Sequence, residues 1–160
     1  MANYFLKVDN VNGESVASGF EQQIELSSWS FGASSPADVG GGGLAAGTPS
    51  CSDFSCSFDL DSSSYQALKC LYQGTHIGTA TFSGVKVGGA GTPYTYVIIT
   101  MTNCFITGYS TGGAGDGVPG ASMSLAYAQI EFDYYTQDTS SGQVTQAGNA
   151  TYNVPQQKAS

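Results

Sequence analysis

The segment 22–31 carries its apolar residues in two phases. Ile24 and Leu26 fall on one side of an extended chain, and Trp29 and Phe31 fall on the other. Side chains in a strand alternate with period two, so a regular strand cannot bury both pairs on one face. One extra residue near Ser27-Ser28 restores the phase, which predicts a β-bulge. The same break recurs in 122–135, where Met123, Leu125 and Tyr127 share one face and Ile130, Phe132 and Tyr134 share the other. A second bulge near Ala128-Gln129 is expected there. Bulges bend the strands that carry them. The fold is expected to be mainly β, a sandwich or a barrel, and two bulges in long strands favour a sheet that curls into a closed or nearly closed antiparallel β-barrel.

The rest of the chain supplies further strands and one helix. Residues 4–8 form a first strand, followed by turn signals at Asp9-Asn10 and Asn12-Gly13. Residues 51–60 alternate, with Phe54, Cys56, Phe58 and Leu60 on one face and Asp53, Ser55, Ser57 and Asp59 on the other. Residues 77–87, 94–106 and 150–154 are further strand candidates, and 94–106 is apolar on both faces through Val97, Ile98 and Ile99. Residues 62–74 are the one helix candidate. Ser63-x-x-Gln66 matches a capping box, Tyr65, Leu68, Leu71 and Tyr72 make an apolar stripe, and Gly74 is placed to end it. The core is expected to include Trp29, Phe31, Phe54, Phe58, Leu68, Leu125 and Phe132.

Two glycine-rich stretches interrupt this pattern. The segment 34–48 is an extended loop containing Val39, Gly40, Gly41, Gly42, Gly43 and Leu44, and 108–120 reads as a second loop. A loop of that length in a small domain is usually functional or disordered, and ordering four glycines is entropically costly unless a partner helps. The length suits one domain spanning 1–160, with 155–160 as a tail.

Charge narrows the possible partners. Only 10% of residues are charged, and the net charge is −8 with four lysines and no arginine. Nucleic acid and anionic membranes both demand basic residues, so neither is an expected partner. The first residues lack a basic stretch followed by an apolar run, so no signal peptide is expected, and cytosolic synthesis follows. An uncharged polar surface is cheap to desolvate, which favours protein–protein contact.

The chemistry-bearing residues make no convincing constellation. His76 is the only histidine, and none of Cys51, Cys56, Cys70 and Cys104 forms a C-x-x-C pair. A His–Cys catalytic pair or a zinc site therefore lacks local support. Asp59 with Asp61, and Glu131 with Asp133, read as strand-face carboxylates rather than an acid/base pair. The glycine runs lack the Lys-Ser/Thr of a phosphate loop. No catalytic, metal-binding or cofactor-binding residue is expected, and the chain is not expected to be an enzyme.

In order along the chain, several motifs resemble one family. They are Phe5-Leu6-Lys7-Val8 with Gly13-Glu14-Ser15, then Glu25 to Gly32 around Trp29-Ser30-Phe31-Gly32, and the Val39–Gly43 stretch. They continue as Tyr96-Val97-Ile98-Ile99-Thr100, Tyr109 to Gly113, and Ser124 to Tyr134. Together they resemble the haemolysin-coregulated protein (Hcp) family, the tube subunit of type VI secretion systems. The resemblance implies a barrel with one flanking helix and a homohexameric ring. It also implies rings stacked into an exported tube, contact with tip and sheath proteins, and effector proteins in the lumen. The protein would then be made in the cytoplasm and leave through the type VI apparatus. In that setting Val39–Leu44 is expected to reach a neighbouring ring, and Ser28, Ser30, Asp53, Ser55 and Ser57 to face the lumen. A soluble carbohydrate- or protein-binding β-sandwich is the alternative reading of the same composition.

Overall fold

The computed structural model describes residues 3–38, 45–46, 48–88, 91–138, 140–155 and 158–159. In chain order the strands are β1 (Asn3–Val8), β2 (Ile24–Leu26), β3 (Ser28–Ser30), β4 (Ala33–Ser34), β5 (Ala37–Asp38), β6 (Ala45–Ala46), β7 (Ser50–Cys51) and β8 (Phe54–Asp59). Helix α1 (Ser63–Gln73) follows, then β9 (Ile77–Val87), β10 (Pro93–Gly112), β11 (Gly120–Gln137), β12 (Val144–Asn153) and β13 (Lys158–Ala159).

The principal sheet is antiparallel throughout and curls into a barrel. β1 pairs with β2 and β9, β9 with β10, and β10 with β11. The first part of β11 pairs with β8, and β8 pairs with β3. Only Ser27 separates β2 from β3, and its N–H donates to Ser57 O at 2.8 Å. The circuit β1–β9–β10–β11–β8–β3/β2 therefore returns to β1. The second part of β11 carries β12, which in turn carries β13.

The two phase switches have different origins. At Ser27 the strand changes partner, from β1 to β8. Ile24 and Leu26 are buried, while Trp29 and Phe31 are half-buried and packed against the same core. Ser28 and Ser30 are exposed. The bulge expected near Ala128-Gln129 is absent. The register between β10 and β11 runs unbroken from Val97↔Tyr134 to Ile106↔Leu125. Both strands turn over together instead. On β10 the buried set passes from Val97, Ile99 and Met101 to Cys104 and Ile106, and on β11 it passes from Leu125 to Ile130. Asn103 lies at the crossover with φ 54°, a left-handed conformation that asparagine tolerates better than most residues. Its Oδ1 is 3.0 Å from His76 Nε2. The register shifts of this region fall elsewhere, at Thr95/Val97 between β10 and β9, at Ile106/Gly108 between β10 and β11, and at Tyr134/Tyr135 between β11 and β12.

Helix α1 also departs from its sequence pattern. Its buried face is Ser63, Ser64, Ala67 and Cys70, small residues that permit close packing on β10. Leu68 and Leu71 are half-buried, and Tyr65 and Tyr72 are 67% and 77% exposed. The apolar stripe thus looks largely outward: of its members only Leu71 packs against the core, and Leu68, expected there, does not. The capping box does not form. Asp61 Oδ1 instead accepts the Ser63 N–H at 2.9 Å and the Ser63 hydroxyl. Gln66 bonds both backbone groups of Asn12, at 2.9 and 3.1 Å, and so ties the 12–23 loop to the helix. Gly74 ends the helix with φ 62°, and Thr75 N–H donates to Cys70 O at 2.9 Å, as in a Schellman cap.

Parts of both glycine-rich stretches are paired strand rather than loop. The segment after Phe31 leaves the barrel as a two-chain arm, with Ala33↔Cys51 and Ser34↔Ser50 at its base and Ala37↔Ala46 and Asp38↔Ala45 further out. Residues 108–112 and 120–122 belong to β10 and β11, which pair as far as Gly112↔Gly120. The Ser110 and Ser122 hydroxyls meet at 2.5 Å, and Thr111 Oγ1 donates to Gly120 O at 2.9 Å.

Phe54, Phe58 and Leu125 are among the fully buried core residues, and Phe132 is half-buried against them. An aromatic cluster forms part of this core. Phe82 contacts Trp29 at 4.5 Å, Phe54 at 5.5 Å and Tyr4 at 5.9 Å between ring centroids.

Candidate functional site

The same alternation that fills the core places a polar layer on the opposite side of β3, β8, β11 and β10. The register lines up Ser28 with Ser57, Ser57 with Ser122, and Ser122 with Ser110. A second row runs Ser30, Ser55, Ser124 and Gly108. Between these positions Trp29, Phe54, Cys56, Phe58, Met123 and Leu125 point inward to the core. The serine layer lines a shallow hollow of about 530 Å³.

Ser28, Ser30, Asp53 and Ser55 are exposed, and Ser57 is half-buried. Asp53 lies just before β8. Its Oδ2 accepts a 2.7 Å hydrogen bond from Thr107 Oγ1, which lies 2.9 Å from Ser124 Oγ. Thr107 sits at the β10 register shift, so the bulge turns its hydroxyl toward this layer. Gly108 lies close to the neighbouring serine: a Cβ there would lie 2.9 Å from Ser124 Oγ, a contact that rotation of the hydroxyl relieves.

Sequence reasoning found half of this layer. It named the positions on β3 and β8 but missed Ser110, Ser122, Ser124 and Thr107. Reading 108–120 as a loop hid Ser110, the β10 partner of Ser122. The alternation Ser122-Met123-Ser124-Leu125 was the signal that could have found them. Val39, Gly40, Gly41, Gly42, Gly43 and Leu44 lie outside the described residues; the arm that leads to them is exposed at 33–37 and 48–50.

The remaining chemistry-bearing groups are dispersed. Cys56, Cys70 and Cys104 are buried and Cys51 is half-buried, all as free thiols. Burial pushes the Cys56 thiol up to about 12 and the Cys104 thiol up to about 11, which makes both poor nucleophiles at neutral pH. His76 faces Asn103 and the edge of Phe105, with 5.5 Å between ring centroids. Asp133 is buried and accepts from Gln146 Nε2 at 3.0 Å, and its carboxylate raises that of Glu131. Among the described residues no three His, Cys, Asp or Glu side chains are grouped as metal ligands. None of the described helices is long and apolar enough to cross a membrane.

Comparison with known proteins bears on the whole fold. A solved structure titled "Structure of a type six secretion system protein" superposes with a TM-score of 0.91 at 22% identity, over 100% of both chains. Hcp1 from Salmonella typhimurium gives a TM-score of 0.76 at 22% identity over 99% of each chain. A type VI secretion system effector from Yersinia pestis gives 0.74 at 24% identity, over 94% of this chain and 99% of that one. No curated protein sequence matches this chain. The family model described as "Type VI secretion system effector, Hcp" matches residues 5–134, a span that takes in the barrel, the arm and both halves of the serine layer, and the chain belongs to that family.

Proposed function

We propose that this chain is a structural subunit of a type VI secretion tube, forming six-membered rings that stack and carry effector proteins against the serine layer. The observation that carries the reading is the continuity of that layer with unpaired strand edges on both flanks. Among the described strands β3 pairs only with β8. The 105–112 stretch of β10 pairs only with β11, since its pairing with β9 ends at Cys104↔Ile77. Across the layer the strands alternate in direction, so β3 and β10 run antiparallel to each other. Setting β10 of one copy beside β3 of the next continues the antiparallel order, satisfies both edges and extends one polar wall around a closed ring. An unprotected edge is a template for pairing with another chain. Neither edge here carries lysine or proline.

The arm suits a contact along the tube axis. It projects from the barrel, its described flanks are exposed, and its 39–44 tip has no charged side chain. Tip and sheath proteins would then be its partners in the apparatus, which would also export it. Role and chemistry agree, since a tube subunit needs surfaces rather than a reactive centre.

Deleting residues 40–43 tests the arm. Rings should still form, as judged by mass in solution, while stacking into tubes is lost under conditions where the parent chain stacks. Undiminished stacking by the deletion variant would remove the arm from the account.

A further inference from the structure

Helix α1 turns large apolar side chains to solvent, whereas charged and polar residues ordinarily cover the outer face of a surface helix. Tyr65 and Tyr72, both largely exposed, join Leu68, Lys69 and Gln73 around an outward hollow of about 400 Å³. Lys69 is the one charged residue of Ser63–Gln73. It is exposed and forms no ion pair with the described residues. Lys7 and Lys86 stand differently. Lys7 shares a hollow with Asp9 and Glu21, and Lys86 lies over the rings of Tyr94 and Tyr96, 5.7 and 4.8 Å from their centroids. Strand β8 leads from the arm, whose last strand is Ser50–Cys51, toward α1, and its six residues at about 3.3 Å each set the two about 20 Å apart. The other ties of α1 lie at the same end, since it leads into the start of β9 and Gln66 holds Asn12 just beyond β1. Arm and helix therefore mark opposite ends of the barrel, and copies stacked head to tail bring the arm of one to the helix of the next.

The chemistry of the arm is the counterpart of this face. Between Gly32 and Ser52 the one charged residue is Asp38, at the end of β5. Its sequence neighbours Pro36, Ala37 and Val39 are apolar, as are Leu44, Ala45 and Ala46 on the returning chain, where Ala45 pairs with Asp38. A lone anion among apolar residues thus matches a lone cation among apolar residues. We propose that the outer face of α1 receives the arm of a second copy of this chain, with Tyr65, Leu68 and Tyr72 covering the apolar arm residues and Lys69 pairing with Asp38. This rests on the tube reading, in which copies stack along the axis, and it names the surface that the arm meets. An exposed ion pair contributes only about 1.4- to fivefold in affinity. Its repetition at every copy of a ring multiplies that small factor, because each contact after the first forms between partners already held together.

The experiment mixes two versions of the full chain, both carrying C51S to remove the half-buried thiol. One bears A45C on the arm, and the other bears Q73C at the rim of the hollow and a tag that separates the two by mass. Rings and tubes are followed by mass in solution and electron microscopy. Mild oxidation should join A45C of one chain to Q73C of another. K69D in the second chain should lower that yield about fivefold, and D38K in the first should restore it to within about twofold. Y65A combined with Y72A, both at exposed positions, should abolish stacking and leave ring mass unchanged. Stacked tubes without the A45C–Q73C product, a yield indifferent to K69D, failure of D38K to restore it, or undiminished stacking by the double tyrosine variant would each overturn the docking and leave the tube reading standing. A disulfide formed within a single chain bearing both cysteines at high dilution would also overturn it, since the arm would then cover its own helix. The product without rings of six supports the docking and sinks the tube reading, and absence of both product and rings sinks both.

Discussion

Phe82 is the hub of the aromatic cluster in the barrel core, and truncating it measures how much that cluster holds. It is fully buried and touches the rings of Trp29, Phe54 and Tyr4. Phe→Ala in a core costs about 3–5 kcal/mol through lost transfer energy and the cavity left behind. Aromatic pairs contribute about 0.5–1.5 kcal/mol each beyond area burial, which places F82A at the upper end, about 5 kcal/mol. With a urea slope of about 2 kcal/mol per molar, the midpoint should fall by about 2–2.5 M. F82L keeps most of the volume but loses the ring pairs, and should cost about 1.5 kcal/mol. The assay is urea unfolding followed by tryptophan emission and far-UV circular dichroism, at a concentration where parent and variants share one assembly state. Trp29 is the single tryptophan and lies 4.5 Å from Phe82, so its emission reports directly on the cluster. A midpoint shift below about 0.5 M for F82A would refute the assignment of the cluster as a main part of the barrel core. So would an emission change with no matching change in dichroism, since the cluster would then be melting locally.

Three further substitutions probe separate features. G13A should destabilise the fold by about 2–3 kcal/mol in the same assay, because its Cβ would lie 2.4 Å from Gln23 O and 2.8 Å from Ile24 Cα, both backbone atoms. G112A, where nothing lies within 4 Å of the added Cβ, should change stability by less than about 0.5 kcal/mol, and equal effects at the two sites would contradict the packing described. Burial raises the Cys56 thiol from 9.0 to about 12, so between those values the unfolded chain has lost a proton that the folded chain keeps. Stability should therefore be unaffected by this group below about pH 8 and fall by about 1.4 kcal/mol per pH unit as pH rises from about 9. C56A should flatten that alkaline slope relative to the parent, and an identical slope would show that Cys56 is not its source.

Much of the barrel was legible in the residues because half-buried strands write their burial in period two. Cys51 to Asp59 and Gln22 to Phe31 gave their faces correctly, down to the switch at Ser27. The second switch was visible at Leu125 and Ile130, but its cause was not. A bulge and a paired turnover of two strands leave the same trace in one strand, and only the partner, with left-handed Asn103, tells them apart. The helix misled for a related reason. Its stripe of Tyr65, Leu68 and Tyr72 has helical period, yet the small residues Ser63, Ala67 and Cys70 form the inner face, packed closely on β10. Gly108 to Gly120 hid half of the serine layer because glycine content marks loops, whereas here it lets hydroxyls and backbones approach across paired strands.

Electron microscopy of the purified full chain addresses the central claim most directly, with class averages computed without imposed symmetry. The account predicts rings of six copies with an open centre and a β-sheet wall made of β3, β8, β11 and β10 facing it. Uniform monomers at concentrations of about 10 μM and above, or rings in which that wall lies on the outside, would contradict it.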